Sequence, residues 1–264
     1  MPIEKTLNPK VIQRILRFTR KILPLLQLAK LLSSISRRVS SFFHRIQFLV
    51  EWGVDNPEYF DHFLEQHYTW RKNRSAICWE RGVLSSIALQ SKLNPKVLEM
   101  CCGDGFNTYH FYSIHSSTIT AIDFDEGAIK AARRQNASDN IKFEVRDIRL
   151  QLPEGPFDNI IWDAAIEHFT ESEIENILKS VKSSLTETGI LSGYTIIEPE
   201  DGGKHLHQHE REFRDKKDLA DLLTPHFSNV HILETKIPGR SNLYFFASEG
   251  LLPFENEKNL IILK

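Results

Sequence analysis

Acidic side chains are missing from a long stretch at the start of this chain: between Glu4 and Glu51 there is no Asp or Glu. Residues 1–50 carry ten Lys/Arg against one Glu, a balance of +9, while the remainder carries 23 against 34, a balance of −11. The total of −2 therefore hides a basic arm on an acidic body. An acidic body offers no broad cationic face to a phosphate backbone, which argues against general nucleic-acid binding.

Cysteine is scarce as well. Cys78, Cys101 and Cys102 cannot build a disulfide framework, and no CxxC or Cys/His zinc spacing occurs. Thiols of this kind suit a reducing compartment, so a cytoplasmic location is expected. Long hydrophobic runs are also lacking. The greasiest, ILPLLQLAKLL (22–32), is interrupted by Pro24, Gln27 and Lys30 and is too short to span a bilayer. Its Arg- and Lys-broken surroundings speak against a secretory signal.

What the arm does contain is apolar residues at intervals of three and four, the period of an amphipathic helix. Residues 1–50 thus read as a basic helical arm, bent or broken at Pro24 and at the Ser-rich LLSSISRRVSS. Two uses stand open. The arm packs on the body with its arginines solvated, or residues 10–50 make peripheral contact with an anionic membrane at ~1 kcal/mol per basic residue. An Arg- and Ser-rich transit peptide is a third reading. Residues 51–95 read as an aromatic-rich helical lid or cap, starting at DNPEYF with Asp55 or Asn56 as cap and Pro57 in the first turn. Most of its aromatics, Trp70 and Trp79 among them, are expected in the core; the other reading has them roof a pocket in the next domain.

From residue 96 short apolar runs alternate with helical stretches: KVLEM, TITAIDF, IKFEVRD, FDNIIWDA and GILSGYTIIE are strands with helices between them. The pattern predicts an α/β fold with a doubly wound, seven-stranded, mostly parallel sheet over 96–250, followed by a tail at 251–264. NVHILETKI and SNLYFFASE are joined too tightly for a crossover and should pair antiparallel.

Ligands of such sheets lie beyond the carboxyl ends of the strands. The first turn there, VLEMCCGDGFNT (97–108), has Gly103 and Gly105 but Thr108 where a dinucleotide fingerprint needs its third glycine. Asp104 inside the loop would repel a pyrophosphate and welcome a cation. The second strand ends at Asp123, whose carboxylate can accept from both hydroxyls of a ribose. The third ends in Arg146-Asp147-Ile148, an acceptor for an exocyclic amine beside an apolar wall. The fourth, WDAAIEHF, brings Asp163, Glu167 and His168 to the same rim. Plainer roles stand beside these. Asp104 and Asp125 can cap helices, the preferred reading for Asp125, and Glu99 can be a buried partner of backbone amides. Asp123 has no comparable structural explanation.

These four stretches, in order and spacing, resemble the motifs of class I S-adenosylmethionine-dependent methyltransferases over about residues 75–248. The resemblance implies S-adenosyl-L-methionine as cofactor, with Glu99, Cys101, Gly103 and Gly105 along its methionine part. Asp123 would take the ribose with Phe124 beside the adenine, Asp147 and Ile148 would take the adenine amine, and Asp163 would complete the rim. Cys101 stands where the family often has glycine, and Arg74 is the candidate for the cofactor carboxylate. His168, with Glu167, is the candidate base, since imidazole exchanges protons near neutrality. No [DN]-P-P-[YF] stretch, nucleophilic cysteine or paired glutamates point to DNA or arginine methylation. The leading reading is methyl transfer to a small-molecule, lipid-linked or glycan acceptor, at oxygen.

Beyond the fifth strand, EDGGKHLHQHEREF (200–213) alternates His205, His207 and His209. It loosely resembles the His-bearing loop of small-RNA 2′-O-methyltransferases, which implies a divalent-metal site of Glu167, His168, His207 and His209. Ala164 stands where that family has a further glutamate. A metal-assisted RNA methyltransferase is therefore one alternative, and a non-catalytic cofactor-binding or membrane-docking protein another. A nicotinamide-dependent oxidoreductase is discouraged by Thr108 and Asp104.

Overall fold

The computed structural model describes residues 23–54, 74–200, 202–237 and 239–254, with a few isolated positions between 10 and 70. The DNPEYF helix start and Tyr59, Phe60, Phe63 and Tyr68 lie outside the described residues, as does the tail beyond 254. The chain divides into two units, Met1–Asn56 and Pro57–Lys264.

The first unit holds α1 (Leu23–Val54), a continuous helix of 32 residues. The break expected at the Ser-rich stretch does not occur, and the residues immediately before Leu23 that would show one at Pro24 lie outside the described residues. The Ser-rich stretch stays helical: Ser41 Oγ returns a hydrogen bond to the Arg37 carbonyl at 2.7 Å, and Arg37 Nη1 donates to Ser33 Oγ at 2.9 Å. No helix among the described residues is long and apolar enough to cross a membrane.

The second unit is built on α2 (Ile77–Ser86), β1 (Lys96–Met100), β2 (Thr118–Asp123), α3 (Glu126–Gln135), β3 (Ile141–Val145), β4 (Phe157–Asp163), α4 (Glu171–Ser184), β5 (Leu185–Ile196), α5 (Lys216–Leu223), β6 (Asn229–Ile237) and β7 (Arg240–Ser248). The seven strands form one sheet in the order β3-β2-β1-β4-β5-β7-β6. β1 pairs in parallel with β2 and β4, and the order reverses around it. β7 runs antiparallel to both neighbours, as the short link after Ile237 requires. The two-residue period of β1 sends Leu98 and Met100 into one core with Trp162, and Val97 into another with Ile119 and Phe143.

Asp125 caps α3 as expected, and two further helix starts carry caps that the sequence reading did not name. Asp125 accepts from the amides of Gly127 and Ala128, Thr170 and Glu173 form a reciprocal capping box, and Asp215 accepts from Asp218 N. The helix after the glycine loop departs from expectation: it widens to a π turn over Thr108–Tyr112 and ends in a 3₁₀ turn at Ser113–His115. Trp70 and Trp79 are not core residues; they are 50% and 37% exposed.

Candidate functional site

The switch point of the sheet falls between β1 and β4, so the loop after β1 is the first place to look. Its backbone turns sharply at Cys101, Gly103 and Gly105, with φ of 58°, 54° and 71°. Cys101 thus adopts the left-handed conformation that glycine adopts at no cost. Gly105 has a packing reason as well: a Cβ there would lie 2.5 Å from the Phe143 ring.

Four carboxylates gather on the rim, and burial makes each dependent on its partners. Glu99 is 3% exposed and accepts from Thr108 Oγ1 at 2.5 Å. Thr108, standing at the missing third glycine, is therefore the partner of Glu99; the backbone amides expected for it are not. Burial pushes the Glu99 carboxyl up to about 8, against the Thr108 bond, so it holds its proton at neutrality. Asp104 accepts from Phe106 N at 3.1 Å and lies 3.4 Å from His62 Nε2, whose ring stacks on Phe106. The bond to Phe106 N closes a turn ahead of the helix; with Gly105 left-handed, Asp104 does not cap the helix itself.

Asp123 does have a structural role that the sequence conceals. One oxygen accepts from Gly103 N and the other from Asp125 N, both at 2.9 Å, tying the β1 and β2 loops together. Burial raises its pKa against these amide bonds. Phe124, beside it, is 60% exposed.

Asp163 is committed to Arg81. Arg81 Nε and Nη2 both reach Asp163 Oδ2, at 3.2 and 2.8 Å, and Asn107 Nδ2 donates to the same oxygen at 3.0 Å. Arg81 also lies over the Tyr194 ring. Among the described residues the arginine paired with a rim acid is Arg81; Arg74 is exposed, in a left-handed turn just before α2. No local pattern announces Arg81, because its partner is 82 residues away. Asp147 is likewise engaged: Arg149 Nε and Nη2 clamp its carboxylate at 2.6–3.0 Å and hold its pKa below the usual range. An adenine amine would compete with that guanidinium. Ile148 is 5% exposed and belongs to the main core.

Beyond β4, Glu167 and His168 meet His209 from the loop after β5, with one ligand-capable atom of each within 4.8 Å of the others. Glu167 accepts from Thr195 Oγ1 on β5 at 3.0 Å, and the imidazoles of His168 and His209 meet edge to face at 4.8 Å. His207 is exposed and outside this group, and His205 instead contacts the Ile197 carbonyl at 3.1 Å. The loop is a series of turns, so alternation does not put the three histidines on one side.

Comparison with known proteins bears on this geometry. Residues 97–189 match the family described as a methyltransferase domain. The chain thus carries a methyltransferase domain over these residues. A curated relative, the malonyl-[acyl-carrier protein] O-methyltransferase of Bacillus cereus, is 33% identical over 98 residues, 36% of this chain and 35% of that protein. The Bacillus anthracis protein of the same name matches equally. The match thus spans about a third of the length of these relatives. Among solved structures, the N-methyltransferase NodS of Bradyrhizobium japonicum with S-adenosyl-L-homocysteine superposes with a TM-score of 0.54 at 17% identity, covering 68% of this chain and 90% of that one. TehB of Haemophilus influenzae gives 0.51 at 18%, covering 70% and 66%. These two likenesses speak for the fold, and the NodS structure holds S-adenosyl-L-homocysteine.

Proposed function

We propose that this chain transfers a methyl group from S-adenosyl-L-methionine to an oxygen of a small-molecule, lipid-linked or glycan acceptor. The observation that carries this reading is the rim of buried acids at and just beyond the ends of β1, β2 and β4, Glu99, Asp104, Asp123 and Asp163, of which Asp163 alone is paired with an arginine, Arg81. Such a donor set suits a cation that carries a ribose. The cofactor supplies a methyl on positive sulfur, which leaves by in-line displacement as a neutral thioether, so positioning and exclusion of water supply most of the rate.

Asp123 accepts from the ribose hydroxyls while the amides of Gly103 and Asp125 fix its rotamer. Exposed Phe124 offers a ring to the adenine face, Glu99 gives the cationic end a carboxyl that ionises on demand, and Cys101, Gly103 and Gly105 let the loop approach closely. Glu167 and His168 stand on the acceptor side, where they receive the hydroxyl and its proton. The malonyl-carrier relatives, which are O-methyltransferases by name, support oxygen as the acceptor atom. Calorimetry with S-adenosyl-L-methionine, followed by a labelled-methyl screen over hydroxyl and carboxyl acceptors, tests the reading. A chain that gives no binding heat with the cofactor ends it.

For residues 10–50 we infer contact with an anionic membrane surface. On α1 the residues Leu28, Leu32, Ile35, Val39, Phe42 and Ile46 form an exposed apolar stripe, and Lys30, Arg37, Arg38 and Arg45 flank it without an acid among them. That pairing of faces is what an interfacial helix needs. Sedimentation of the full chain with anionic vesicles, lost in Arg37→Glu/Arg38→Glu, is the expected result. No sedimentation, or self-association through the stripe without lipid, overturns it.

A further inference from the structure

The Glu167–His168–His209 group lies beyond the ends of β4 and β5, and a second buried acid, Glu212, stands behind it. Glu167 is 3% and Glu212 7% exposed. Glu212 Oε1 accepts from His205 N at 2.7 Å and also engages His209 Nδ1, whereas Glu212 Oε2 has no hydrogen-bond partner among the described residues. The nearby cations are occupied elsewhere. Lys204 gives its ammonium to the carbonyls of His209 and Glu210, and Arg211 reaches Glu171 and Asp218, each at 3.1 Å. Two buried carboxylates thus stand beside two imidazoles with no lysine or arginine in direct contact with either carboxylate among the described residues, an arrangement that a bound cation would stabilise.

The hydrogen bonds also select one tautomer. His209 Nδ1 faces a carboxylate and His168 Nδ1 faces the Gln208 carbonyl at 3.4 Å, so in the neutral rings Nδ1 is the donor in both. The lone pair then resides on Nε2 of each ring, the form in which imidazole ligates a metal. A carboxylate behind the ligating histidine is the usual outer support of such a site.

We propose that Glu167, His168 and His209 bind one divalent transition-metal ion, with Glu212 as the positioning residue for His209. Two imidazoles and one carboxylate suit zinc, cobalt or manganese better than magnesium. Ala164, in a left-handed turn after β4, supplies no fourth side chain, so coordination positions are left open. Open positions at this point of the rim fit an acceptor with a hydroxyl next to a second oxygen, since such a pair chelates. The inference rests on the methyltransferase reading for the acceptor and changes one step of it. A histidine that ligates the cation is no longer a base, and the cation itself makes the acceptor hydroxyl acidic.

The test uses the full chain, freed of metal by chelator dialysis and titrated with Co²⁺, with Zn²⁺ as competitor. One equivalent of Co²⁺ with visible ligand-field bands is expected. His209→Ala and His168→Ala should abolish the bands, and Glu212→Gln should weaken affinity roughly 10–100-fold. Circular dichroism establishes that each variant is folded. A wild-type chain that takes up neither ion overturns the site, as does uptake in folded His209→Ala equal to the wild type. Calorimetry with S-adenosyl-L-methionine on the same metal-free protein keeps the two readings separate: cofactor binding without metal uptake sinks this site alone.

Discussion

Arg81 on α2 and Asp163 at the end of β4 are joined through a single carboxylate oxygen, with the Asp163 side chain 2% exposed. The pair connects the helix that precedes the sheet to the rim where the motifs converge. Removing the guanidinium leaves a buried, uncompensated carboxylate, which costs roughly 3–5 kcal/mol. Arg81→Ala should therefore lower the urea midpoint strongly, and Arg81→Met/Asp163→Leu should recover much of the loss. If Arg81→Ala unfolds at the wild-type midpoint, the pair carries no structural weight.

Glu99 ties cofactor binding to pH. Its carboxyl, raised by burial to about 8, is protonated at neutrality in the folded chain. The unfolded chain releases that proton above its ordinary 4.5, so this group lowers folding stability as pH rises from about 4.5 to about 8. A cationic ligand favours the ionised form, so binding of S-adenosyl-L-methionine at pH 7 should release a proton and tighten as pH approaches 8. Calorimetry in buffers of different ionisation enthalpy reads the proton directly. Glu99→Gln should bind without releasing it; equal release from that variant assigns the proton elsewhere.

Asp123 carries two loads, and two substitutions separate them. Asp123→Ala removes the acceptor for Gly103 N and Asp125 N and the expected ribose contact together. Asp123→Asn keeps one acceptor oxygen and loses the charge. Cofactor affinity should fall in both, by at least tenfold for alanine, since a charged hydrogen bond is worth about 1.5–3 kcal/mol. Thermal stability should fall more for alanine than for asparagine. Unchanged affinity in folded Asp123→Ala would remove Asp123 from the site.

The strands and the antiparallel pairing of the last two were legible because short apolar runs and a link too short for a crossover are local signals, whereas the order of the strands in the sheet was not read. The rim acids were legible for the same reason, each closing a strand. What those acids bind within the protein was not. The Arg81–Asp163 pair spans 82 positions, the Asp123–Gly103 bond spans 20, and Asp147 is taken by Arg149 two residues on, a choice of rotamer that spacing cannot reveal. His207 was grouped with His209 on an assumed extended backbone, and a turn with Leu206 O accepting from His209 N undoes that. Thr108 counted against a nucleotide fingerprint, and its positive role appears only once its hydroxyl is seen on Glu99.

Two glycines with the same backbone conformation should respond differently to alanine. Gly105 and Gly202 have φ of 71° and 73°, so alanine is strained by about 1–2 kcal/mol at either position. At Gly202 nothing lies within 4 Å of the added methyl, and the strain is the whole cost. At Gly105 the methyl meets the Phe143 ring at 2.5 Å and Ala132 Cβ at 3.3 Å, which adds an overpacking cost of roughly 1–3 kcal/mol. The Phe143 ring belongs to the core shared by β1, β2 and α3, so it yields only by disturbing Ile119 and Ala132. Gly105→Ala should therefore melt well below Gly202→Ala and also bind S-adenosyl-L-methionine more weakly, because the loop must lift away from β3. Equal melting temperatures for the two variants would mean that Phe143 moves freely and that conformation alone selects glycine at 105.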